Sequence, residues 1–317
     1  MRLARQSADM LSFPERIAGR VLRATGLDKH HVHTRHGEVS YLNGRGQGEL
    51  PFVLLHGLSA NAIAYGDLIR RILPGVSSLT APDMPGHGYT PPPSGALTTS
   101  IMTEAMFDAL DQLITKPTVL LGNSMGGRAA VRYAAARPDK VRGLILVSPG
   151  GAPLNHIELE KVLSVFKIES HRQGLDFVDR IFANPPKLMR HAIARGSRSR
   201  FAHPVMRRFI NGITPADLLA QHEVQSLKMP ALMIWGREEK ILPSANLDWF
   251  ETHLPQRSTI ERWSDFGHIG FAERPAALAR RIGLFLGELQ GSEALATHAL
   301  APSRPALPTL DPASAWA

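Results

Sequence analysis

Residues 118–127 read Thr118-Val-Leu-Leu-Gly-Asn-Ser124-Met-Gly-Gly127, an apolar run that leads through a Gly-x-Ser-x-Gly pattern into a segment with helical character. Glycines two positions before and two positions after Ser124 permit a very tight strand-to-helix turn, because side chains there would collide with the neighbouring strand and helix. Such a turn holds the Ser124 hydroxyl at the edge of a sheet, next to the positive end of the following helix. The stretch therefore predicts a nucleophilic serine.

The segments around this stretch alternate between short apolar runs and longer helical patterns. Runs that are apolar throughout are typical of strands covered on both faces of a parallel sheet. The alternation therefore predicts an α/β protein with a mostly parallel, doubly wound sheet and helices on both faces. Weak alternation over residues 31–43, followed by the turn-forming pair Asn43-Gly44, predicts an antiparallel start. We expect strands at 51–55, 77–82, 118–121, 144–147, 231–235 and 259–263, and helices at 61–73, 99–114, 125–136 and 274–289.

Three stretches fall outside this alternation and predict the domain organisation. Residues 153–227 contain helices and loops and are too long for a simple connection, so we interpret them as an inserted helical cap. Residues 1–29 predict an amphipathic helix packed on the globule, with a peripheral membrane anchor as the alternative. Residues 291–317 are rich in Ala and Pro without periodicity and are expected to be disordered. The α/β core is accordingly assigned to residues 30–152 and 228–290.

The composition excludes several classes of function. The 317 residues include no cysteine, which rules out disulfide scaffolds, iron–sulfur clusters, cysteine zinc sites and a cysteine nucleophile. No run of about 18 apolar residues is present, so no transmembrane helix is expected. Residues 1–29 also lack the features of a secretory signal, which makes the cytoplasm the expected location, with peripheral membrane association as the alternative.

The charge is strongly basic and unevenly distributed. The formal net charge is +8, and between Arg180 and Ala216 there are eight Lys and Arg residues but no Asp or Glu. We interpret this stretch as a solvated cationic face, with attraction of anionic or lipid-like substrates, or of a membrane surface, as the alternative. No helix-turn-helix, RNP or zinc-finger pattern accompanies the charge, so no nucleic acid partner is expected.

Two further loops follow predicted strands. His56-Gly57 ends the run at 52–55, where the loop backbone turns inward. The backbone N–H groups of Leu58 and Met125 are therefore the candidate donors to a developing oxyanion, because such donors need no particular side chain. An ordinary strand-end turn is the alternative for the first loop. The second loop, residues 83–88, reads Asp-Met-Pro-Gly-His-Gly, and its His87 is interpreted as structural.

Together these motifs resemble the α/β-hydrolase superfamily over roughly residues 32–289. The matching landmarks are His56-Gly57, the loop at 83–88, the Ser124 motif and the pair Gly267-His268. The resemblance implies an α/β-hydrolase fold and a chain order of serine, acid and histidine. It identifies His268 as the general base. No cofactor and no metal are expected.

The resemblance also locates the acid of the triad. The family has Trp-Gly-x-x-Asp, and here Trp235-Gly236 is followed by Arg237-Glu238-Glu239, which aligns Glu239 with the aspartate. Glutamate occurs at this position in some members and orients the histidine in the same way. Glu238 is the competing candidate. Asp265, three residues before His268, is a third option.

These residues predict a serine hydrolase that works through an acyl-enzyme. His268 takes the proton of Ser124, which attacks an acyl carbon, and water later releases the acid. The favoured reaction is hydrolysis of carboxylic esters with small to medium acyl groups, the carboxylesterase and lipase class. A binding protein that has lost catalysis is the minor alternative, disfavoured because all three triad positions carry competent residues.

The rival reaction is hydrolysis of a carbon–carbon bond in vinylogous diketones, the products of meta-cleavage. Asn123 before the nucleophile and the Gly-Gly pairs at 126–127 and 150–151 are similar to that subfamily. Its members use a lid arginine, for which Arg190 is the candidate, so Asn123 and Arg190 are possible substrate contacts. Against this reading, residues 58–61 lack the expected glycines and Ile269 replaces a tryptophan. Ester hydrolysis therefore remains the favoured prediction.

Overall fold

The computed structural model describes residues 10–291, and its centre is an eight-stranded sheet with the order β1-β2-β4-β3-β5-β6-β7-β8. Strand β2 pairs antiparallel with β1 and β4, and the pairs from β4 to β8 are parallel. The expected mostly parallel α/β sheet with an antiparallel start is thus confirmed. The strands are β1 (Leu27–Thr34), β2 (Gly37–Arg45), β3 (Pro51–Leu55), β4 (Ser78–Pro82), β5 (Thr118–Ser124), β6 (Val141–Pro149), β7 (Ala231–Gly236) and β8 (Thr259–Trp263).

Helices connect the parallel strands and pack in groups against the sheet. Helix α2, preceded by the 3₁₀ turn Ala62–Tyr65, packs against α12, while α4 packs along β5 and β6. Because the chain crosses over through helices, the carboxyl ends of the parallel strands all lie at one edge. The helices are α1 (Phe13–Ala24), α2 (Gly66–Ile72), α3 (Thr99–Leu113), α4 (Met125–Ala136), α5 (His156–Ser164), α6 (His171–Ile181), α7 (Arg190–Ala202), α8 (Pro204–Asn211), α9 (Gln221–Gln225), α10 (Ser244–His253), α11 (Gly270–Glu273) and α12 (Pro275–Gln290).

The first turn of the sheet lies elsewhere than the sequence predicts. Asn43 and Gly44 are interior residues of β2, and the chain reverses at residues 35–36 instead. Asn43 donates to the Thr80 hydroxyl on β4 at 2.8 Å, so its side chain serves the sheet rather than a turn. A Cβ atom at Gly44 would lie 2.7 Å from a methyl group of Leu27, which explains the glycine by close packing. The turn expected at Asn43-Gly44 was therefore wrong.

Residues 153–227 contain the five helices α5 to α9 and no strand. Helices α6 and α7 pack against each other, and three buried rings, Phe166, Phe177 and Phe201, contact one another with centroids 5.3–5.9 Å apart. These rings are continuous with the hydrophobic core of the sheet, so the segment packs onto the α/β core through an aromatic cluster.

Some of the Lys and Arg side chains between Arg180 and Arg208 form ion pairs, and others are exposed to solvent. Arg190, Arg200 and Arg207 form ion pairs with Asp179, Glu15 and Glu169. Others, including Arg195 and Arg198, are exposed to solvent. The basic stretch is therefore partly neutralised by carboxylates from other parts of the chain.

The ends of the chain are described only in part. Helix α1 begins after the N-cap Ser12, and β1 begins at Leu27, so the last residues of the stretch 1–29 belong to the sheet. Residues 1–9 and 292–317 lie outside the described residues, and so does the disorder expected for the tail. Across residues 10–291, none of the helices combines the length and apolar character needed to cross a bilayer.

Candidate active site

The site is built on the turn between β5 and α4. Ser124 ends β5 with φ +52° and ψ −120°, a conformation that residues with side chains rarely adopt. A Cβ atom at Gly122 would lie 2.3 Å from the Gly126 carbonyl oxygen, and one at Gly126 would lie 2.2 Å from the Leu55 carbonyl oxygen. Only glycine fits at either position, so the predicted reason for both glycines holds in the structure.

The structure brings Ser124, His268 and Glu239 into one hydrogen-bonded chain. His268 Nε2 lies 2.9 Å from Ser124 Oγ, and His268 Nδ1 lies 2.7 Å from Glu239 Oε2. Both distances are within the normal range for hydrogen bonds. The serine thus contacts a base that is itself oriented by a third group, the arrangement needed to activate a hydroxyl.

Glu239 is held as a buried carboxylate. Its side chain is 2% exposed, and its Oε1 accepts the backbone N–H groups of Ile241 (2.7 Å) and Leu242 (3.0 Å). Burial by itself raises the pKa of Glu239, but the charge and hydrogen bond of His268 and the two backbone donors outweigh burial. The net effect holds this pKa below its ordinary value, so the carboxylate is ionised at neutral pH and faces the imidazole.

The other two candidate acids lie apart from the imidazole. Glu238, the neighbour of Glu239, accepts the Phe266 backbone N–H at 3.1 Å and so fixes the loop before His268. Asp265 is 71% exposed and lies 3.7 Å from Arg274. Of the three carboxylates, Glu239 is therefore the one that the structure places against His268.

The loop after β3 lies directly against the serine. A Cβ atom at Gly57 would be 3.2 Å from Ser124 Cβ, and Leu58 lines the same cavity as Ser124 and His268. Met125 is the first residue of α4 and therefore carries one of the unpaired N–H groups at a helix N-terminus. The residues that carry the two candidate oxyanion donors thus both lie next to Ser124.

The histidines of the neighbouring loops are buried and neutral. His56 Nε2 accepts the Met84 backbone N–H at 2.9 Å, and His87 lies 5.1 Å from it, between ring centroids. Burial lowers the pKa of His56 to about 3 and the pKa of His87 to about 4. Ser124 bonds His268 and not His87. The position of His87 is therefore consistent with the prediction that it is a structural residue.

Asn123 lines the cavity, but its amide is bonded within the protein. Its Nδ2 donates to the carbonyl oxygens of Val147 (2.8 Å) and His268 (3.3 Å), and its Oδ1 accepts the Tyr65 hydroxyl at 2.9 Å. The Tyr65 hydroxyl in turn accepts the Gly57 N–H at 3.3 Å. Asn123 therefore connects the serine turn, the His268 loop and the Gly57 loop, a role that the sequence does not reveal.

Glu273 is a second residue that sequence reasoning missed. Its carboxylate accepts the N–H groups of Ala183 (2.8 Å) and Asn184 (3.0 Å), just after α6, and of Gly267 (2.8 Å), just before His268. Burial raises the pKa of Glu273. One carboxylate thus joins the end of α6 to the histidine loop. No short sequence motif predicts that Glu273 bonds these groups, because the three donors lie far away along the chain or in irregular loops.

A cavity with about 370 Å³ of empty space, including its open mouth, lies above Ser124. Residues from the helical segment 153–227 form one wall of this cavity, and the sheet-edge loops form the other. None of the described residues that line the cavity carries a permanent charge. The wall residues are Phe166, Phe177 and Ile181, and the others are Gly57, Leu58, Ala60, Asn123, Ser124, His268, Ile269 and Phe271.

Arg190 is not one of the residues that line this cavity. Its guanidinium pairs with both carboxylate oxygens of Asp179 on α6, one of them at 2.7 Å from Nε. The hypothesis that Arg190 contacts the substrate is therefore not supported by this arrangement, since the guanidinium is committed to Asp179.

Comparison with known proteins identifies the family. A family model described as the alpha/beta hydrolase family matches residues 52–281. Monoacylglycerol lipase ABHD6 of Mus musculus is 26% identical over 293 residues, 86% of each chain. The 2-hydroxymuconate semialdehyde hydrolase of Pseudomonas sp. (strain CF600) is 25% identical over 272 residues, 78% of this chain and 90% of that protein.

A solved structure shows the same fold. The serine hydrolase from Cycloclasticus zankles superposes with a TM-score of 0.72 at 20% identity, covering 83% of this chain and 99% of that one. The family model spans well over half of the chain, and the sheet order, the serine turn and the solved structure agree with it. The chain belongs to the alpha/beta hydrolase family, and it is a hydrolase with a lipase and another hydrolase among its relatives.

Proposed function

We propose that this protein hydrolyses carboxylic esters with small to medium acyl groups through a Ser124–His268–Glu239 triad. The observation that carries the proposal is the hydrogen-bonded chain from Glu239 through His268 to Ser124, with distances of 2.7 and 2.9 Å. A serine at the floor of a cavity, next to a base with a buried counter-charge, is equipped for nucleophilic attack on an acyl carbon.

Each group then has a defined role in the reaction. His268 Nε2 takes the Ser124 proton as the serine attacks, and Glu239 stabilises the imidazolium that forms. The N–H groups of Leu58 and Met125 stabilise the negative oxygen of the tetrahedral intermediate. His268 passes its proton to the leaving alcohol, then activates a water that releases the acid from Ser124.

The cavity lining supports a neutral, apolar acyl group. Phe166, Phe177, Ile181 and Leu58 surround the space above Ser124, and the described lining residues include no permanently charged group. An anionic acyl group would lose its hydration in this cavity without gaining a partner. The name of the ABHD6 relative, a monoacylglycerol lipase, points to esters of the same apolar kind.

Carbon–carbon bond hydrolysis is the second candidate function. It is supported by the 25% identity to the 2-hydroxymuconate semialdehyde hydrolase and by Asn123 next to the nucleophile. Because the same triad serves both reactions, the acyl cavity and not the catalytic residues distinguishes them.

A series of p-nitrophenyl esters from acetate to palmitate, with Ser124→Ala as the control, tests the proposal. We expect serine-dependent release with a maximum at short or medium chains, and at least a 10⁴-fold loss in Ser124→Ala. The melting temperature of Ser124→Ala should stay close to that of the wild type. Absence of release from every ester, with turnover of a ring-cleavage dienoate, would favour the second candidate instead.

We also propose that residues 153–227 act as a cap over the site and that α1 contacts a lipid surface. The cap proposal is supported by the wall that this segment contributes to the cavity. The lipid proposal is supported by Phe13 (75% exposed) and Ile17 (46% exposed), which lie one turn apart beside Arg16 and Arg20.

Sedimentation with anionic vesicles tests the lipid contact. The wild type should bind the vesicles, and Phe13→Ser with Ile17→Ser should bind much less. Leu284→Ser is the matched control, since Leu284 on α12 is exposed to a similar extent as Ile17. Equal binding by the α1 variant and the wild type would contradict the lipid proposal without affecting the triad.

A further inference from the structure

Helix α1 contacts the loop after β3 and helix α7 through one buried carboxylate, that of Glu15. Glu15 lies in the first turn of α1 and is fully buried. Its Oε2 accepts the backbone N–H (2.8 Å) and the hydroxyl (2.7 Å) of the N-cap Ser12. Its Oε1 accepts the Asn61 amide and the Arg200 guanidinium, the latter at 2.6 Å. The carboxylate thus caps its own helix and contacts two other parts of the chain.

Arg200 connects the helical segment 153–227 to the loop after β3. It lies on α7 with its side chain 15% exposed, and its Nη2 donates to Glu15. Its Nη1 donates to the Ser59 carbonyl oxygen at 2.6 Å. Ser59 directly follows Leu58, the proposed oxyanion donor. We call residues 58–61 the oxyanion loop. One guanidinium therefore bonds both the α1 carboxylate and the backbone of this loop.

The oxyanion loop depends on contacts from outside itself. Ser59 has φ +61°, in the left-handed region that residues with side chains disfavour. Its hydroxyl is buried and has no hydrogen-bond partner within the described part of the chain, so its own side chain does not stabilise this conformation. The Ser59 carbonyl receives its hydrogen bond from Arg200, and the next polar residue of the loop, Asn61, donates to Glu15.

We propose that Glu15 and Arg200 are positioning residues that hold residues 58–61 in the conformation that aims the Leu58 N–H at the oxyanion. This inference rests on the proposed function, because it assigns a cause to the oxyanion geometry of that reaction. Neither residue lines the cavity, so neither contacts the substrate. Their loss should weaken stabilisation of the transition state and leave substrate binding largely intact.

The first measurement is the separation of kcat from KM in Glu15→Gln and Arg200→Met. We expect kcat for a p-nitrophenyl ester to fall about 10- to 100-fold, the range for a misplaced or missing oxyanion donor, with KM within about threefold of the wild type. A loss confined to KM, or kcat unchanged in both variants, would overturn the inference.

The chain offers a closely matched control pair in Glu223 and Arg132. Glu223 also accepts the N-cap backbone N–H of its own helix, that of Ala220 at 2.7 Å, and it pairs with Arg132 Nε at 3.1 Å. Arg132 also donates to a backbone carbonyl, that of Leu218 at 2.8 Å. This pair joins α4 to the helical segment without touching the oxyanion loop. Glu223→Gln and Arg132→Met should therefore keep kcat near the wild-type value, and a loss equal to that of Glu15→Gln would indicate a general effect of breaking an ion pair to the helical segment.

The double variant Glu15→Gln/Arg200→Met separates positioning from stability. Each single variant breaks the Glu15–Arg200 ion pair and leaves one of its two charges in place, whereas the double variant removes both charges, so its melting temperature should recover toward the wild type. Its kcat should remain low, because the Ser59 carbonyl still lacks its donor. Recovery of kcat together with the melting temperature would show a purely structural role and overturn the inference.

Reaction of Ser124 with a fluorophosphonate distinguishes this inference from the proposed function. The reagent needs an activated serine and oxyanion donors but no particular ester substrate. Slow modification of the Glu15 and Arg200 variants beside rapid modification of the wild type and the control pair would support the inference. Equally rapid modification of all proteins would overturn the inference alone, and no modification of the wild type would overturn the proposed function with it.

Discussion

The carboxyl edge of the sheet and the helical segment 153–227 face the same cavity, but different forces hold them. At the edge, Ser124, His268 and Glu239 are fixed by a strained turn and by buried hydrogen bonds. The helical segment contributes Phe166 and Phe177, which are held by apolar packing. Hydrogen bonds fix direction and distance, whereas apolar contacts mainly exclude water and tolerate repacking. We therefore expect the edge to determine the reaction and the helical segment to determine the substrate.

Several polar contacts join the two regions beside the cavity. The Ile269 N–H donates to the Ile181 carbonyl at 3.2 Å, and Glu273 binds backbone groups on both sides. Arg200 makes the corresponding link to the oxyanion loop. The apolar wall is thereby held in place next to the groups to which we assign the proposed reaction.

The largest effect should come from the acid at the edge. We expect Glu239→Gln to lower kcat/KM by about 10³- to 10⁴-fold, because a neutral amide no longer stabilises the imidazolium or selects its tautomer. Glu238→Gln keeps a side-chain oxygen that can accept the Phe266 N–H, and it should cost less than about threefold. Steady-state kinetics on one p-nitrophenyl ester measures both values.

The adjacent glutamates make each variant the control of the other. Both substitutions remove one negative charge from the same loop, so a general electrostatic effect would lower both rates equally. Equal losses, or a larger loss in Glu238→Gln, would break the argument that hydrogen-bond geometry at the edge determines the reaction.

The features at the sheet edge that the sequence predicted are those that local sequence patterns determine. The sheet and the turn at Ser124 depend on local patterns, apolar runs and glycines whose spacing is visible in the chain. Glu239 was predicted from its position after Trp235-Gly236, and it lies 2.7 Å from His268, while its role as the acid stays a proposal. The turn expected at Asn43-Gly44 was wrong because both residues pair with β1 within β2, and Gly44 packs closely against the Leu27 side chain, a contact that no local pattern shows.

Residues that act through distant partners were not predicted. Asn123 bonds the carbonyl of His268, 145 positions away, and Glu15 bonds Arg200, 185 positions away. Their local settings, a serine motif and a helix cap, give no sign of those partners. The wall of the cavity is hidden for the same reason, since Phe166 and Phe177 are spaced as ordinary core residues of helical segments.

An intermediate effect should come from the wall of the cavity. Phe177→Leu enlarges the space above Ser124, so we expect the preferred acyl chain to lengthen, with relative kcat/KM for long over short esters rising about tenfold. The rate on the acetate ester should change little, because the edge is untouched. Activity across the ester series measures the shift.

Phe201→Leu is the matched control for the wall. Phe201 packs against Phe177 with ring centroids 5.3 Å apart, but it is not one of the lining residues. It should lower stability to a similar extent without changing the acyl preference. A shift of the same size in both variants would mean that the packing of the helical segment as a whole, and not its cavity face, sets the preference.

The smallest effect should come from Arg190, which lies in the helical segment but does not line the cavity. Its guanidinium is paired with Asp179, so Arg190→Met should leave kcat/KM for neutral esters within about twofold and lower the melting temperature only slightly. The same variant on a carboxylate-bearing dienoate is the decisive comparison. A loss of more than about tenfold there, with esters unaffected, would mean that Arg190 leaves Asp179 to bind an anionic substrate, and that the helical segment selects substrates by charge as well as by apolar shape.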